Sequence, residues 1–208
     1  MALTLGNDLQ MVVEKLYIGG QSASEDSARL HKLGVTLIVQ AVVNVVVRFP
    51  DQFNYHLVEV IDDPNADLLS RLPAAVSLIH ETMQAGRSVL VFCADGRSRS
   101  AAIIIAYLMY VKRQSYSSAF ALLRLKRDGV RPNFGFTKQL LLFEKELRLS
   151  TDLGKQIGST TTRLVIEGQS GAEALSGGGL GGKTEYKVFR GLSPGVSNLS
   201  ELAQHVGA

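Results

Sequence analysis

Cysteine is almost missing from this chain, with Cys93 its single representative. One thiol excludes an internal disulfide framework and a metal site made of several thiolates, so a reducing compartment is the expected setting. Charge of one sign is scarce as well: 22 Lys and Arg stand against 19 Asp and Glu, a formal net charge of +3. A nucleic-acid binder gathers many Lys and Arg on one face, and the balance here gives no reason to expect such a partner. Long hydrophobic runs are lacking too. No window reaches the roughly 18 apolar residues of a membrane span, and Met1 to Gln10 lack the basic and then apolar pattern of a signal peptide. Ala2 stands where a myristoyl acceptor needs glycine, and no prenylation cysteine stands at the other end. The expectation is a soluble intracellular chain, cytoplasmic with the nucleus as a second location left open, with no membrane span and an oligomeric state equally open.

With 46% hydrophobic and 20% charged residues, the 208 positions suffice for one sizeable core and an extension. Between Val12 and Leu149, short apolar runs rich in β-branched residues alternate with helical periodicity, which predicts an α/β domain. Val35 to Val47, Tyr55 to Ile61 and Ser88 to Phe92 read as strands. Glu25 to Leu33 and Leu68 to Gln84 read as helices, the latter spacing Leu72, Val76, Ile79 and Met83 at threes and fours. His31 and His80 fall within these helices and need no functional role. From residue 150 to 208 glycine becomes frequent and large apolar residues few, so this part reads as a tail, after residues 1–11 and a domain at 12–149. Thr161 to Ile166 and Thr184 to Phe189 could form short strands in it.

The chemistry concentrates in Cys93-Ala94-Asp95-Gly96-Arg97-Ser98-Arg99-Ser100, set between an apolar strand and the helical run that starts at Ala101. A loop from a strand end to a helix N-terminus offers backbone N–H groups and the positive end of the helix dipole to an anion. The same field favours the thiolate of a cysteine at its mouth, which makes Cys93 a candidate nucleophile. Gly96 permits a backbone conformation that a Cβ would obstruct. Arg99 brings a planar fork suited to two phosphate oxygens, and Ser100 a hydroxyl for the sulfur. Alone, a cysteine at the end of an apolar strand would be a buried hydrophobe. Its company in this loop argues otherwise.

Cys93-x-x-Gly96-x-Ser98-Arg99-Ser100 resembles the phosphate-binding loop of the protein tyrosine phosphatase superfamily in its dual-specificity form. Leu16-Tyr-Ile-Gly19 resembles the opening strand of such domains. Ala106-Tyr-Leu-Met109, then Arg131-Pro132-Asn133-x-Gly135-Phe136 with Gln139, Leu140 and Glu144, resemble the two stretches on the C-terminal side of the loop. The resemblance spans about Val12 to Leu149 and implies a central, mostly parallel, twisted sheet flanked by helices, with the Gly-rich extension outside it. It implies hydrolysis of phosphotyrosine and phosphoserine or phosphothreonine through a phosphocysteine, without metal or other cofactor. The substrate-binding residues would be Ala94, Asp95, Gly96, Arg97, Ser98 and Arg99, with Asn133 supporting the loop. The family's general acid sits on a separate loop. Asp62-Asp63-Pro64-Asn65 takes that place, with Asp62 the carboxylic acid and Asp63 one residue out of register. Asp67 would instead cap the helix beginning near Leu68.

The family carries histidine immediately before its nucleophile, and here Phe92 stands there. An apolar neighbour desolvates a thiolate, so weakened activity is the expectation. The few residues ahead of Val12 leave no room for the docking domain of kinase-directed members, so the chain resembles an atypical, single-domain member with a phosphorylated protein as partner. Two alternatives stay open: a phosphatase of the same fold acting on phosphoinositide, RNA or carbohydrate phosphate, and a phosphate-binding module without turnover. Asp95 beside Arg97 weighs against a highly anionic substrate.

Overall fold

In the computed structural model, which describes residues 8–44, 46–157 and 188–190, the apolar runs form six strands. They are β1 (Leu9–Val13), β2 (Leu16–Gly19), β3 (Val35–Gln40), β4 (Asn54–Leu57), β5 (Ser88–Phe92) and β6 (Val188–Arg190). The helical stretches form α1 (Ser27–Lys32), α2 (Leu72–Gln84), α3 (Arg99–Lys112), α4 (Tyr116–Lys126) and α5 (Phe134–Ile157). All six strands lie in one sheet of order β1-β2-β5-β3-β4-β6, parallel throughout except for β1 against β2. The expected α/β class and mostly parallel sheet are observed. None of the helices among the described residues is long and apolar enough to cross a membrane.

Both faces of the sheet are covered, which is why β3 and β5 read as near-continuous apolar runs rather than alternating ones. Val89, Val91 and Cys93 join the larger core with Leu37, Val39 and the buried residues of α2, α3 and α5. Leu90 and Phe92 face the opposite way, into a smaller core with Ile38, Tyr55, Phe53 and Leu30 of α1. Helix α3 is buried from Arg99 to Tyr110, because it packs against α2, α4, α5 and the sheet at once. Each fully buried Val, Leu or Ile contributes about 1.5–3 kcal/mol, so the element that begins at the loop is among the most firmly anchored.

Several element boundaries differ from expectation. The strand read through Val47 stops at Gln40, opposite the last residues of its partners β4 and β5; beyond it Asn44 adopts a left-handed backbone (φ 57°) and Val46 is 80% exposed. Val42, Val47 and Phe49 pack against the cores from a loop instead. Pairing in the run expected from Tyr55 to Ile61 ends at Leu57, opposite the end of β3 at Gln40. Asp26 accepts a hydrogen bond from the Arg29 N–H and starts α1 later than Glu25. A 3-10 turn over Leu69–Arg71 precedes α2, whose Pro73 occupies the first turn, where no N–H is required. Of the two tail strands expected, Thr161 to Ile166 lies outside the described residues. The second overlaps β6, which pairs with β4.

His56 of β4 is 2% exposed, and its Nδ1 has no hydrogen-bond partner among the described residues. Burial, aided by the Arg71 cation, lowers its pKa from the ordinary 6.5 to about 4. The fold therefore holds the neutral ring, while the unfolded chain takes up the proton first. The contribution of His56 to stability is fully present above pH 6.5 and is lost as the pH falls towards about 4, by on the order of 3 kcal/mol. Urea unfolding at both ends of that window should show this loss in the wild type and much less of it in His56→Leu. An equal loss in both would assign the acid sensitivity to other groups.

Candidate active site

The end of β5 places Cys93 at the floor of the loop, and α3 begins at Arg99 on its far side. Cys93 is 2% exposed, with its Sγ 3.2 Å from the Ser100 Oγ. Gly96 has φ +67°, and a Cβ there would lie 2.6 Å from the Gly19 carbonyl, so both backbone and space demand glycine. Ala94, Asp95 and Arg97 are exposed, whereas Ser98, Arg99 and Ser100 are buried.

Every carbonyl from Ala94 to Ser98 is hydrogen-bonded to surrounding structure. The Ala94 oxygen accepts from the Gln21 N–H at 2.9 Å, and the Arg97 oxygen from the Arg131 N–H at 2.9 Å. Asp95 and Gly96 accept from Arg127 at 2.7 and 2.9 Å, and Ser98 accepts from the Ala102 N–H within α3. In a trans peptide the N–H points opposite to the C=O. The amides of Asp95 through Arg99 are thus turned away from these anchors, an arrangement suited to an anion at a helix N-terminus.

Arg99 reaches back beneath the neighbouring loop, where its Nη1 donates to the Val60 carbonyl at 3.4 Å. Its Nε lies 3.9 Å from Asp62 Oδ2, too long for a hydrogen bond, and is a buried donor without one among the described residues. Asp62 faces the cradle: its Oδ1 accepts from Ser98 Oγ at 2.7 Å and from Asn133 Nδ2 at 2.9 Å. Asp63 instead accepts from the Asn65 N–H at 2.7 Å and closes its own turn. Asp67 accepts from the Ser70 N–H, and bonds with Ser70 hold its carboxyl below the usual range.

The loop carrying Asp62 is fastened from α5. Asn133 donates its N–H to Ser98 Oγ at 3.2 Å, while its Oδ1 caps the Phe136 N–H at 2.9 Å. Its backbone N–H and side-chain amide together therefore join the loop after Cys93, the Asp62 loop and the start of α5. Gln139 accepts from the Leu68 and Leu69 N–H groups at 2.8 and 2.7 Å and donates to the Ala66 carbonyl at 2.8 Å. Gly135 lies so close to Pro64 that a Cβ would overlap its carbonyl.

Sequence reasoning did not assign roles to Arg127, Asp8, Gln139 or Gly135. The last two stand inside the motif after the loop, so their presence there was the available signal. Arg127 and Asp8 are far apart in sequence and carried none. Phe92 fills the smaller core beside Ile38 and Tyr55 and is 1% exposed, so an apolar pocket receives the ring on the face of β5 opposite Cys93. His31 stacks on Phe53, with centroids 4.6 Å apart, and His80 meets Tyr110 edge-on. Both lie apart from the loop.

Comparison with known proteins agrees with this geometry. Residues 16–146 match the family model of the dual specificity phosphatase catalytic domain. "Dual specificity protein phosphatase 1B" of Arabidopsis thaliana is 34% identical over 143 residues, which cover 69% of this chain and 86% of that protein. "Dual specificity protein phosphatase 1-A" of Xenopus laevis is 33% identical over 74% of this chain, but the match spans only 42% of its own length. Among solved structures, a mouse dual specificity phosphatase complexed with zinc tungstate superposes with a TM-score of 0.69 and 31% identity. That match covers 73% of this chain and 95% of the mouse chain. On fold, motif and sequence alike, the chain belongs to the dual-specificity phosphatases, the cysteine-dependent phosphoric monoester hydrolases of the protein tyrosine phosphatase superfamily.

Proposed function

We propose that this chain dephosphorylates phosphotyrosine and phosphoserine or phosphothreonine in proteins through a phosphocysteine at Cys93. The anchored carbonyls from Ala94 to Ser98, next in the chain to a buried thiol, carry this reading, since they leave the amides that follow them turned away from the surrounding structure and open to a phosphate. In the first step the Cys93 thiolate forms the S–P bond as the P–O bond to the leaving group breaks. Asp62 gives that oxygen its proton. The loop amides and Arg99 stabilise the equatorial oxygens, and a phosphate oxygen would satisfy the buried Arg99 Nε. Ser100 donates its hydroxyl to the sulfur when the thiolate is regenerated. In the second step water attacks phosphorus, returns a proton to Asp62, and the P–S bond breaks to release phosphate.

The thiol chemistry requires a reducing setting such as the cytoplasm or nucleus, and the single cysteine supports that location. Phosphotyrosine and phosphothreonine peptides should both be turned over. Acid-quenched enzyme should yield a phosphorylated peptide containing Cys93. Binding of both peptides without turnover of either would overturn the assignment in favour of a recognition module.

Gly135→Ala tests the fastening of the acid loop. A methyl group there must push Pro64 away and Asp62 with it. Steady-state kinetics with phenyl phosphate should show kcat reduced by about 10- to 100-fold, with the rate of Cys93 alkylation unchanged. Unaltered kcat would mean that the loop tolerates the shift.

A further inference from the structure

Two of the five anchored carbonyls of the phosphate loop end on one side chain. Arg127 follows the last residue of α4, and its side chain is 10% exposed. Its Nε donates to the Gly96 carbonyl at 2.9 Å and its Nη2 to the Asp95 carbonyl at 2.7 Å. On the other side, Nη1 donates to the Asp8 carbonyl at 2.7 Å and to the Gln10 side chain, and Nη2 donates to Asp8 Oδ1 at 2.6 Å. A guanidinium has five N–H donors, and five acceptors meet them.

Asp8 is held in turn. Its carboxylate accepts from the Gly20 N–H at 3.1 Å to each oxygen and from the Ser22 hydroxyl. Burial opposes its ionisation, but bonds from Ser22, Arg127 and Gly20 outweigh that and hold its carboxyl below the usual range. The next residue, Gln21, donates its N–H to the Ala94 carbonyl. Arg127 and the Gln21 N–H, next in the chain to the Gly20 that Asp8 holds, therefore engage three consecutive carbonyls of the loop.

We infer that Arg127 is a positioning residue for phosphoryl transfer: by holding the Asp95 and Gly96 carbonyls outward, it aims the Gly96 and Arg97 amides at the phosphoryl group, while Asp8 orients the guanidinium. The inference rests on the reading of this loop as the phosphoryl site. Arg127 also lines a cavity of about 580 Å³ beside the loop, with Asp8, Asp95, Arg97, Lys126 and Asp128 among its other walls. A role in gripping substrate there is the rival account. The engagement of all five donors argues against it, because a substrate could reach the guanidinium only by breaking a bond to the loop or to Asp8.

Arg127→Lys and Asp8→Asn separate the two accounts. Lysine keeps a charge for Asp8 but loses the planar fork that spans both carbonyls. Titration with inorganic phosphate should show affinity about tenfold weaker for Arg127→Lys, and kcat for a small aryl phosphate should fall by about 10- to 100-fold. Both losses are to be read at a temperature where circular dichroism shows each variant fully folded. Asp8→Asn should move both readouts the same way by a smaller factor, and the double variant should be no worse than Arg127→Lys alone. Should Arg127→Lys fail to fold, Asp8→Asn alone still reads phosphate affinity against wild type. Unchanged phosphate affinity and aryl phosphate kinetics, with KM raised only for phosphopeptides, would overturn the inference and make Arg127 a substrate contact. A wild type that binds phosphate without any turnover would overturn the proposed function instead, and phosphate affinity would still report on the clamp.

Discussion

Cys93→Ser should lower turnover of a small aryl phosphate by about 10⁴-fold or more while leaving the affinity for inorganic phosphate within about threefold of wild type. The size follows from nucleophile replacements in covalent catalysis, where the residual rate comes from binding and oxyanion stabilisation alone. A serine hydroxyl at neutral pH is a poor nucleophile unless a base activates it. The neighbour of Cys93 Sγ is the Ser100 hydroxyl, which is no base. Serine is close in size to cysteine, so the larger core that holds Cys93 needs no rearrangement. The cradle itself consists of backbone amides and Arg99 and is untouched. Paired titration and kinetics check both halves. Retained turnover would remove Cys93 from the reaction, whereas lost affinity would mean that the sulfur side chain shapes the loop.

Asp62→Asn should cost about 10²- to 10⁴-fold in kcat when the leaving group is a phenol or an alcohol. The loss should be far smaller for a nitrophenolate, which departs without a proton. This dependence on leaving group distinguishes an acid from a structural carboxylate. Asparagine keeps a carbonyl oxygen to accept from Ser98 and Asn133, so the hydrogen bonds that hold the loop survive. Kinetics across a series of aryl phosphates provides the measurement. A uniform loss across the series would leave Asp62 as a loop anchor only. Asp63→Asn should have little effect in every case, because Asp63 serves its own turn through the Asn65 N–H.

Much of the fold was legible because burial on both sheet faces writes itself into composition. The run from Ser88 to Phe92 ends where β5 ends, and the loop motif sits in the predicted strand, turn and helix context. Overreading began where hydrophobicity continued beyond the last pairing partner. Val42, Val46 and Val47 are as β-prone as the residues of β3, yet Asn44 is left-handed, and Val42 and Val47 pack against the cores from outside any strand. Propensity records what a segment tolerates, and the neighbouring strand decides where pairing stops. The cradle residues were readable because they are contiguous. Asp62 was readable through its turn, and the hydrogen bonds of the structure distinguish its surroundings from those of Asp63. The Arg127–Asp8 pair was not readable, since an arginine among many exposed ones reveals its half-buried partner only when α4 is laid beside β1.

The pairing of β6 with β4 bears on the order in which the molecule is completed. Among the described residues, strand β4 pairs on one side with β3, which is near in sequence, and on the other with residues 188–190. During synthesis from the N-terminus, the β6 side of Tyr55 to Leu57 waits for its partner until residues 188–190 have been made, long after β3 and β4. An unpaired strand edge invites pairing with other chains. The interval between emergence of β4 and arrival of β6 is therefore the stage at which a newly made molecule is most open to joining a neighbour through that edge.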